Sequence, residues 1–165
     1  EGISFGIESG SPRMLEKIGK KINPSQVENI IRLASSHGIR CVCYFMIGHP
    51  EETIDDVKQS IKLFERIANR FVEGELNIVS PYPGTQLWTL AKDIGWNLPP
   101  REFYKLFHQG DFTVNLTAMT DQELKDYYHL FLRLISRHSL ISKANALIRL
   151  GMTGHIRSIL QRVWS

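Results

Sequence analysis

Three short apolar segments each run into a corner of small and polar residues and then into a helix, and this order confines the chain to an α/β fold. The corners are Gly6-Ile7-Glu8-Ser9-Gly10-Ser11, Met46-Ile47-Gly48-His49-Pro50-Glu51-Glu52-Thr53 and Val79-Ser80-Pro81-Tyr82-Pro83-Gly84-Thr85. Strands joined by helical crossovers build a parallel sheet from right-handed βαβ units. Ligands of such sheets sit beyond the carboxyl ends of the strands, where successive loops converge. The three corners are therefore expected to line one pocket.

The elements follow from local chemistry. Ile3-Ser4-Phe5-Gly6-Ile7 alternates as a strand, and Ser9 or Ser11 ahead of Pro12 starts a helix through Leu15 and Ile18. Asn23-Pro24-Ser25-Gln26 is an N-cap with a glutamine three residues on, and Val27, Ile30, Ile31 and Ala34 form the stripe of the helix it opens. Residues 39–47 are almost wholly apolar, as suits a strand covered on both faces. Thr53 caps a third helix with Asp55 and Asp56 in its first turn and a stripe of Ile54, Val57, Ile61, Phe64 and Ala68. Gly74 is expected to lead into a third strand over Leu76–Ser80, and Thr85 to restart a helix that stops near Gly95.

Leu98-Pro99-Pro100 marks an expected division between an α/β part, 1–97, and a helical extension, 98–165. Glu102 to Phe107 can form one or two helical turns. Thr120-Asp121-Gln122-Glu123 is a capping box opening the first of up to three helices, the last two punctuated by Gly151 and Gly154. This extension is basic. Residues 1–126 carry 14 Lys and Arg against 17 Asp and Glu, whereas 127–165 carry Arg133, Arg137, Lys143, Arg149, Arg157 and Arg162 with no acid.

With 165 residues, 42% of them hydrophobic, the chain can bury one moderate core. Its longest apolar run, Val42 to Ile47, is too short to span a bilayer, and no signal-peptide layout opens it, so a cytoplasmic setting is expected. The two cysteines, Cys41 and Cys43, point to one face of a strand with their backbones held apart; they are expected as buried small side chains rather than as a bridge or a metal site. The six histidines show no ligand spacing.

The stretch FGIESGSPRMLEKIGKKINPSQVENIIRLASSHGIRCVCYFMIGHPEETIDDVKQSIKLF, with SPYPGT further on, resembles the second half of the radical S-adenosylmethionine (SAM) core. The likeness is greatest to the cobalamin-binding-domain branch that includes anaerobic magnesium-protoporphyrin monomethyl ester cyclases. The resemblance implies a TIM-like (β/α)6 barrel of which this chain supplies strands four to six: three parallel strands with crossover helices, followed by the C-terminal helical extension. It further implies that Glu8 and Ser9, with Gly10 permitting close approach, contact the ribose and methionine part of SAM. Tyr44, Met46, Gly48 and Glu51 occupy the GxIxGxxE motif beside the adenine, with Tyr44 in place of its first glycine and Met46 in place of its isoleucine. Ser80 and Tyr82 follow the sixth strand. A carboxylate is a suitable acceptor for ribose hydroxyls, such a charged hydrogen bond contributing about 1.5–3 kcal/mol. Period two places Ser4, Gly6, Glu8, Tyr44 and Met46 on a lumen face and Phe5, Ile7, Cys41, Cys43, Phe45 and Ile47 against the helices.

The family's CxxxCxxC loop, whose thiolates hold a [4Fe-4S] cluster, is not in this sequence, and Cys41-Val42-Cys43 cannot replace it. The chain is accordingly expected to be a piece of a longer enzyme, inactive alone and binding SAM weakly. In the whole enzyme, SAM is expected to be cleaved reductively at the cluster to a 5′-deoxyadenosyl radical for tetrapyrrole or related oxidative chemistry on a small-molecule substrate, with cobalamin a candidate second cofactor. No residue is assigned a catalytic role. Expected partners are the N-terminal half of the barrel and, for the isolated piece, a second copy burying the open lumen face. The alternative is a non-catalytic α/β module whose basic helices bind RNA or an acidic protein.

Overall fold

A computed structural model of the chain describes residues 2–68, 72–106 and 114–149, and the side chains of all of these except 104–106 and 146–149. The elements are β1 (Gly2–Glu8), α1 (Pro12–Lys17), α2 (Pro24–Ser36), β2 (Arg40–Ile47), α3 (Ile54–Ala68), β3 (Val72–Ile78), α4 (Gln86–Asp93), α5 (Pro100–Leu106) and α6 (Asp121–Arg149). The strands form one parallel sheet in the order β1-β2-β3, so all three carboxyl ends lie along one rim. Three parallel strands with their crossover helices make up the part of a TIM-like (β/α) barrel that the sequence leads one to expect.

Helix starts follow the local signals. Ser11 caps α1 ahead of Pro12, accepting from the Met14 amide, and Asn23 and Gln26 complete a reciprocal capping box on α2. Thr85 caps α4, and Thr120 and Glu123 exchange bonds at the start of α6. Each such cap contributes about 1 kcal/mol, less than one buried large side chain, so packing sets where the helices lie.

One face of the sheet carries that packing. Ile7, Cys41, Cys43, Phe45, Ile47, Val72 and Leu76 are buried against α2, α3 and α6, while Ser4 and Gly6 on the other face are exposed and Tyr44 and Met46 half-buried. The α3 stripe enters the core through Val57, Ile61, Phe64 and Ala68, joined by Leu63 and Ile67. Both thiols are fully buried and free, as a strand-face pair covered by helices should be.

The third strand differs from its expected span: it begins at Val72, not Leu76, and Gly74 lies inside it rather than before it. The reason is contact. A Cβ on Gly74 would stand 2.6 Å from the Phe64 ring and 3.2 Å from Ile135, so glycine is here the residue that admits two helices to the strand, not a breaker.

Residues on both sides of position 98 share one core. From the C-terminal part, Met119, Leu124, Tyr128, Phe131 and Ile135 join the same cluster as β2 and α3. The Phe131 ring lies edge-on to Phe45 at 5.3 Å and to Phe64 at 5.8 Å. Helix α6 is continuous over its 29 residues, and no described helix is long and apolar enough to cross a membrane. Gly151, Gly154, Arg157, Arg162 and the helices expected around them lie outside the described residues, as does the side chain of Arg149.

Candidate functional site

The rim where the strands end is polar and tightly held. At the tip of β1 the ladder shifts register between Gly6 and Glu8, Glu8 has φ +66°, and the Ser9 amide donates back to the Ile7 carbonyl at 2.9 Å. A three-residue turn with positive φ at its centre is rare and costs a non-glycine residue of order 1–3 kcal/mol. The turn folds the Glu8 carboxylate back over the open face of β1: its Oε1 lies 2.7 Å from where a Gly6 Cβ would stand. Lys20 meets it at 3.2 Å and also donates to the Gly6 carbonyl at 2.9 Å. The Glu8 side chain keeps 19% of its surface exposed, so the carboxylate remains within reach of a ligand.

Ser9 and Gly10 turn the other way. Ser9 is fully buried, its hydroxyl 3.2 Å from that of Ser60 on α3 and accepting from the Ser11 amide at 3.1 Å. Gly10 donates to the Ser60 hydroxyl at 2.8 Å, and a Cβ there would stand 2.5 Å from the Gln59 carbonyl oxygen. The close approach that Gly10 permits is to the α3 backbone.

Asp56 is the hub of this contact. It accepts from the Ser11 hydroxyl at 2.6 Å, from Arg13, and from the hydroxyl and amide of Thr53 at 2.6 and 2.9 Å. Burial pushes its carboxyl up, but the hydrogen bonds from Arg13, Ser11 and Thr53 outweigh that and hold it well below the usual carboxylate range.

At the tip of β2 two neighbouring glutamates part company. Glu51, with φ +59°, sends its carboxylate to the surface, 75% exposed and paired with Lys17. Glu52 is fully buried and accepts from the Gly48 amide at 2.7 Å and the His49 amide at 3.3 Å, its Oε1 having no partner among the described residues. Burial pushes the Glu52 carboxyl up to about 7 against the pull of those two amides. His49 is buried beside it, with Nε2 lacking a partner among the described residues. Burial lowers its pKa, which favours the neutral imidazole, and the charge of Glu8 opposes this. The loop is tied from outside by the segment after residue 113: Glu51 donates to the Leu116 carbonyl and Ala118 to that of Glu52.

Past β3, the Val79 amide donates to the Ile47 carbonyl at 2.9 Å, carrying the pairing beyond the strands and placing Ser80 next to the Gly48 corner. Ser80 is buried, and its hydroxyl has no partner among the described residues. Tyr82 is 42% exposed with its ring 5.5 Å from that of Phe103. Thus Glu8, Gly48 and Ser80 share the rim, Tyr44 and Met46 stand on the open face below it, Ser9 and Gly10 face α3, and Glu51 faces solvent. His49, Glu52, Asp56 and Ser60 were not anticipated as site residues. Ser60 carried a sequence signal, being a hydroxyl i+4 from Asp56 on an otherwise apolar buried stripe.

A parallel α/β sheet with its polar groups gathered past the strand ends defines a class of enzyme folds that hold nucleotides and similar ligands there. A family model described as the radical SAM superfamily matches residues 1–64, and through this segment the chain belongs to that superfamily. An uncharacterized methyltransferase of Pyrococcus horikoshii is 34% identical over 136 residues, 79% of this chain and 29% of that protein. A tRNA-2-methylthio-N(6)-dimethylallyladenosine synthase of Ehrlichia ruminantium is 32% identical over 50% of this chain and 19% of its own length. The cytidylyl-2-hydroxyethylphosphonate methyltransferase of Streptomyces wedmorensis is 27% identical over 73% of this chain and 23% of its own. The chain spans less than a third of each.

The superfamily implies SAM and a [4Fe-4S] cluster in the whole protein. The rim suits SAM, with an accessible carboxylate for ribose hydroxyls and buried polar atoms on His49 and Ser80 that have no partner among the described residues. It does not suit the cluster. Both thiols face the helix layer, burial pushing Cys43 up to about 12 and raising Cys41, and no group of three His, Cys, Asp or Glu could hold a metal among the described residues.

Proposed function

We propose that this chain is the SAM-cradling part of a radical SAM group-transfer enzyme acting in methyl or methylthio transfer. The carrying observation is Glu8: a carboxylate held over the sheet face at a strand tip by a costly backbone turn, in a segment of this superfamily. Glu8 accepts from the ribose hydroxyls, Gly48 with Tyr44 and Met46 borders the adenine, and Ser80 closes the third side. SAM supplies the reactive methyl or 5′-deoxyadenosyl group when bound. The chain's own residues orient it and exclude water.

Transfer chemistry is supported by the printed names of the relatives, two of them methyltransferases and one a methylthio-adenosine synthase. Tetrapyrrole chemistry and cobalamin use rest on the resemblance to the cobalamin-binding branch alone. The cluster belongs, on this reading, to the polypeptide beyond these residues.

The test uses the full-length protein reconstituted with iron and sulfide under anaerobic conditions. Calorimetry is expected to show SAM binding that weakens about tenfold or more in Glu8→Gln, the loss of one charged hydrogen bond. Reductive turnover is expected to give 5′-deoxyadenosine or S-adenosylhomocysteine. A wild-type protein that binds no SAM, or a Glu8→Gln variant binding as well as wild type, would overturn the assignment.

A further inference from the structure

The turn at Glu8 raises a question of restraint. A non-glycine residue at φ +66° relaxes unless its neighbours hold it. On the β1 side Glu8 still pairs with Phe45 after the register shift, and Lys20 meets its carboxylate at 3.2 Å. Beyond Glu8 the corner is held by the three residues that follow, each bonded to α3. Ser9 and Gly10 meet the Ser60 hydroxyl, and Ser11 meets Asp56.

The hydrogen inventory of this contact closes. Ser60 spends its one proton on the Asp56 carbonyl at 3.2 Å, so it accepts from Gly10 and from Ser9, which makes Ser9 the donor of the 3.2 Å contact. Ser9 still accepts from Ser11, while Ser11 donates to the Asp56 carboxylate and accepts from Met14. No side-chain polar atom of Ser9, Ser11, Asp56 or Ser60 is left without a partner, unlike those of Glu52, His49 and Ser80. The absent Gly10 side chain lets the corner lie directly on the helix backbone. The helix is itself seated by fully buried Leu63 and Ile67.

We infer that Asp56 and Ser60 are positioning residues that clamp the corner after β1 and thereby hold the Glu8 carboxylate over the sheet face in its ligand-binding orientation. They touch no ligand. The inference rests on Glu8 being the ribose acceptor, and it adds that the affinity of that acceptor is set from the far side of the corner by α3. Without the clamp the turn relaxes toward extended backbone and the carboxylate leaves the rim.

The experiment compares two ligands on the full-length protein: S-adenosylhomocysteine and its 2′,3′-dideoxyribose analogue. Wild type is expected to prefer the natural ribose by about tenfold or more. Ser60→Ala, which keeps the fold's shape, and Asp56→Asn, which keeps its volume, are each expected to lose most of that preference while binding the dideoxy analogue as wild type does. A purely structural role predicts another pattern, with lower thermal stability and an unchanged ratio between the two ligands, and that result in both variants overturns the clamp. If wild type itself shows no preference for the natural ribose while Glu8→Gln equals it, the ribose reading of Glu8 falls and the clamp falls with it. That pattern is separable because the wild-type ratio, not only the variant ratio, is then near one.

Discussion

Gly10 lies so close to Gln59 that a β-carbon at position 10 would stand 2.5 Å from the Gln59 carbonyl oxygen and 2.6 Å from the Ser60 Cα. Both obstacles are backbone of a seated helix and cannot swing aside. Gly10→Ala is therefore expected to destabilise the fold by about 2–3 kcal/mol, the upper range for overpacking. It should also lift the corner from α3 and weaken SAM binding. Thermal melting and calorimetry of the full-length protein check both parts, and a variant as stable as wild type would show that the contact is soft.

Glu52 gives a pH signature with a definite sign. Its folded pKa of about 7 lies above the ordinary 4.5, so the native state holds a proton that the unfolded chain releases between those values. Stability from this group is full below about 4.5 and declines as pH rises through 7. The decline is at most about 3 kcal/mol by linkage. Glu52→Gln keeps the acceptor for Gly48 and His49 and cannot ionise. Denaturant titrations from pH 5 to 8 should show the slope in wild type and its loss in the variant, and parallel curves would count against a buried ionisable Glu52.

Cys41 and Cys43 should resist alkylation in the native protein. Burial pushes the Cys43 thiol up to about 12 and raises Cys41, leaving almost no thiolate at neutral pH, and neither sulfur reaches solvent. Iodoacetamide labelling at pH 7.5 followed by peptide mass mapping is expected to mark both only after denaturant is added. Rapid native labelling would mean that the helix layer opens easily.

A protein consisting of these 165 residues alone is expected to self-associate. The outer edge of β1 has no strand partner among the described residues, and the face carrying Ser4, Gly6, Tyr44 and Met46 lacks a covering layer there. Light scattering should report a dimer or larger species whose formation shields Tyr44. A monodisperse monomer with Tyr44 solvated would count against this surface as an interface.

Much of this was legible in the sequence, because period and punctuation carry it. The three strands, their alternation of faces, the Asn23–Gln26 box and the Thr85 and Thr120 caps all depend on neighbours within a few residues. What escaped depends on distant ones. Gly74 looks like a breaker until Phe64 and Ile135 are seen to occupy the place of its side chain. Glu51 holds the motif position beside the expected adenine, yet its backbone adopts a positive φ and its carboxylate turns to solvent, while Glu52 enters the protein. Ser9 and Gly10 sit where a ligand contact is expected, yet the register slip at Glu8 turns them toward α3. Asp56 reads as a first-turn acid favouring the helix dipole, and it is the centre of the corner's hydrogen bonding because Ser11 and Arg13 arrive from 45 and 43 positions away.

The aromatic contact of Phe131 with Phe45 and Phe64 also governs the order of events during synthesis. A ribosome delivers the strand and helix that form two sides of this cluster well before the third side emerges. Until α6 leaves the exit tunnel, the nascent polypeptide carries an unsealed seam between β2, β3 and α3, a surface suited to chaperone capture. A stop codon anywhere between the two regions would make that transient exposure permanent, so premature termination is expected to yield a degraded product rather than a smaller folded one.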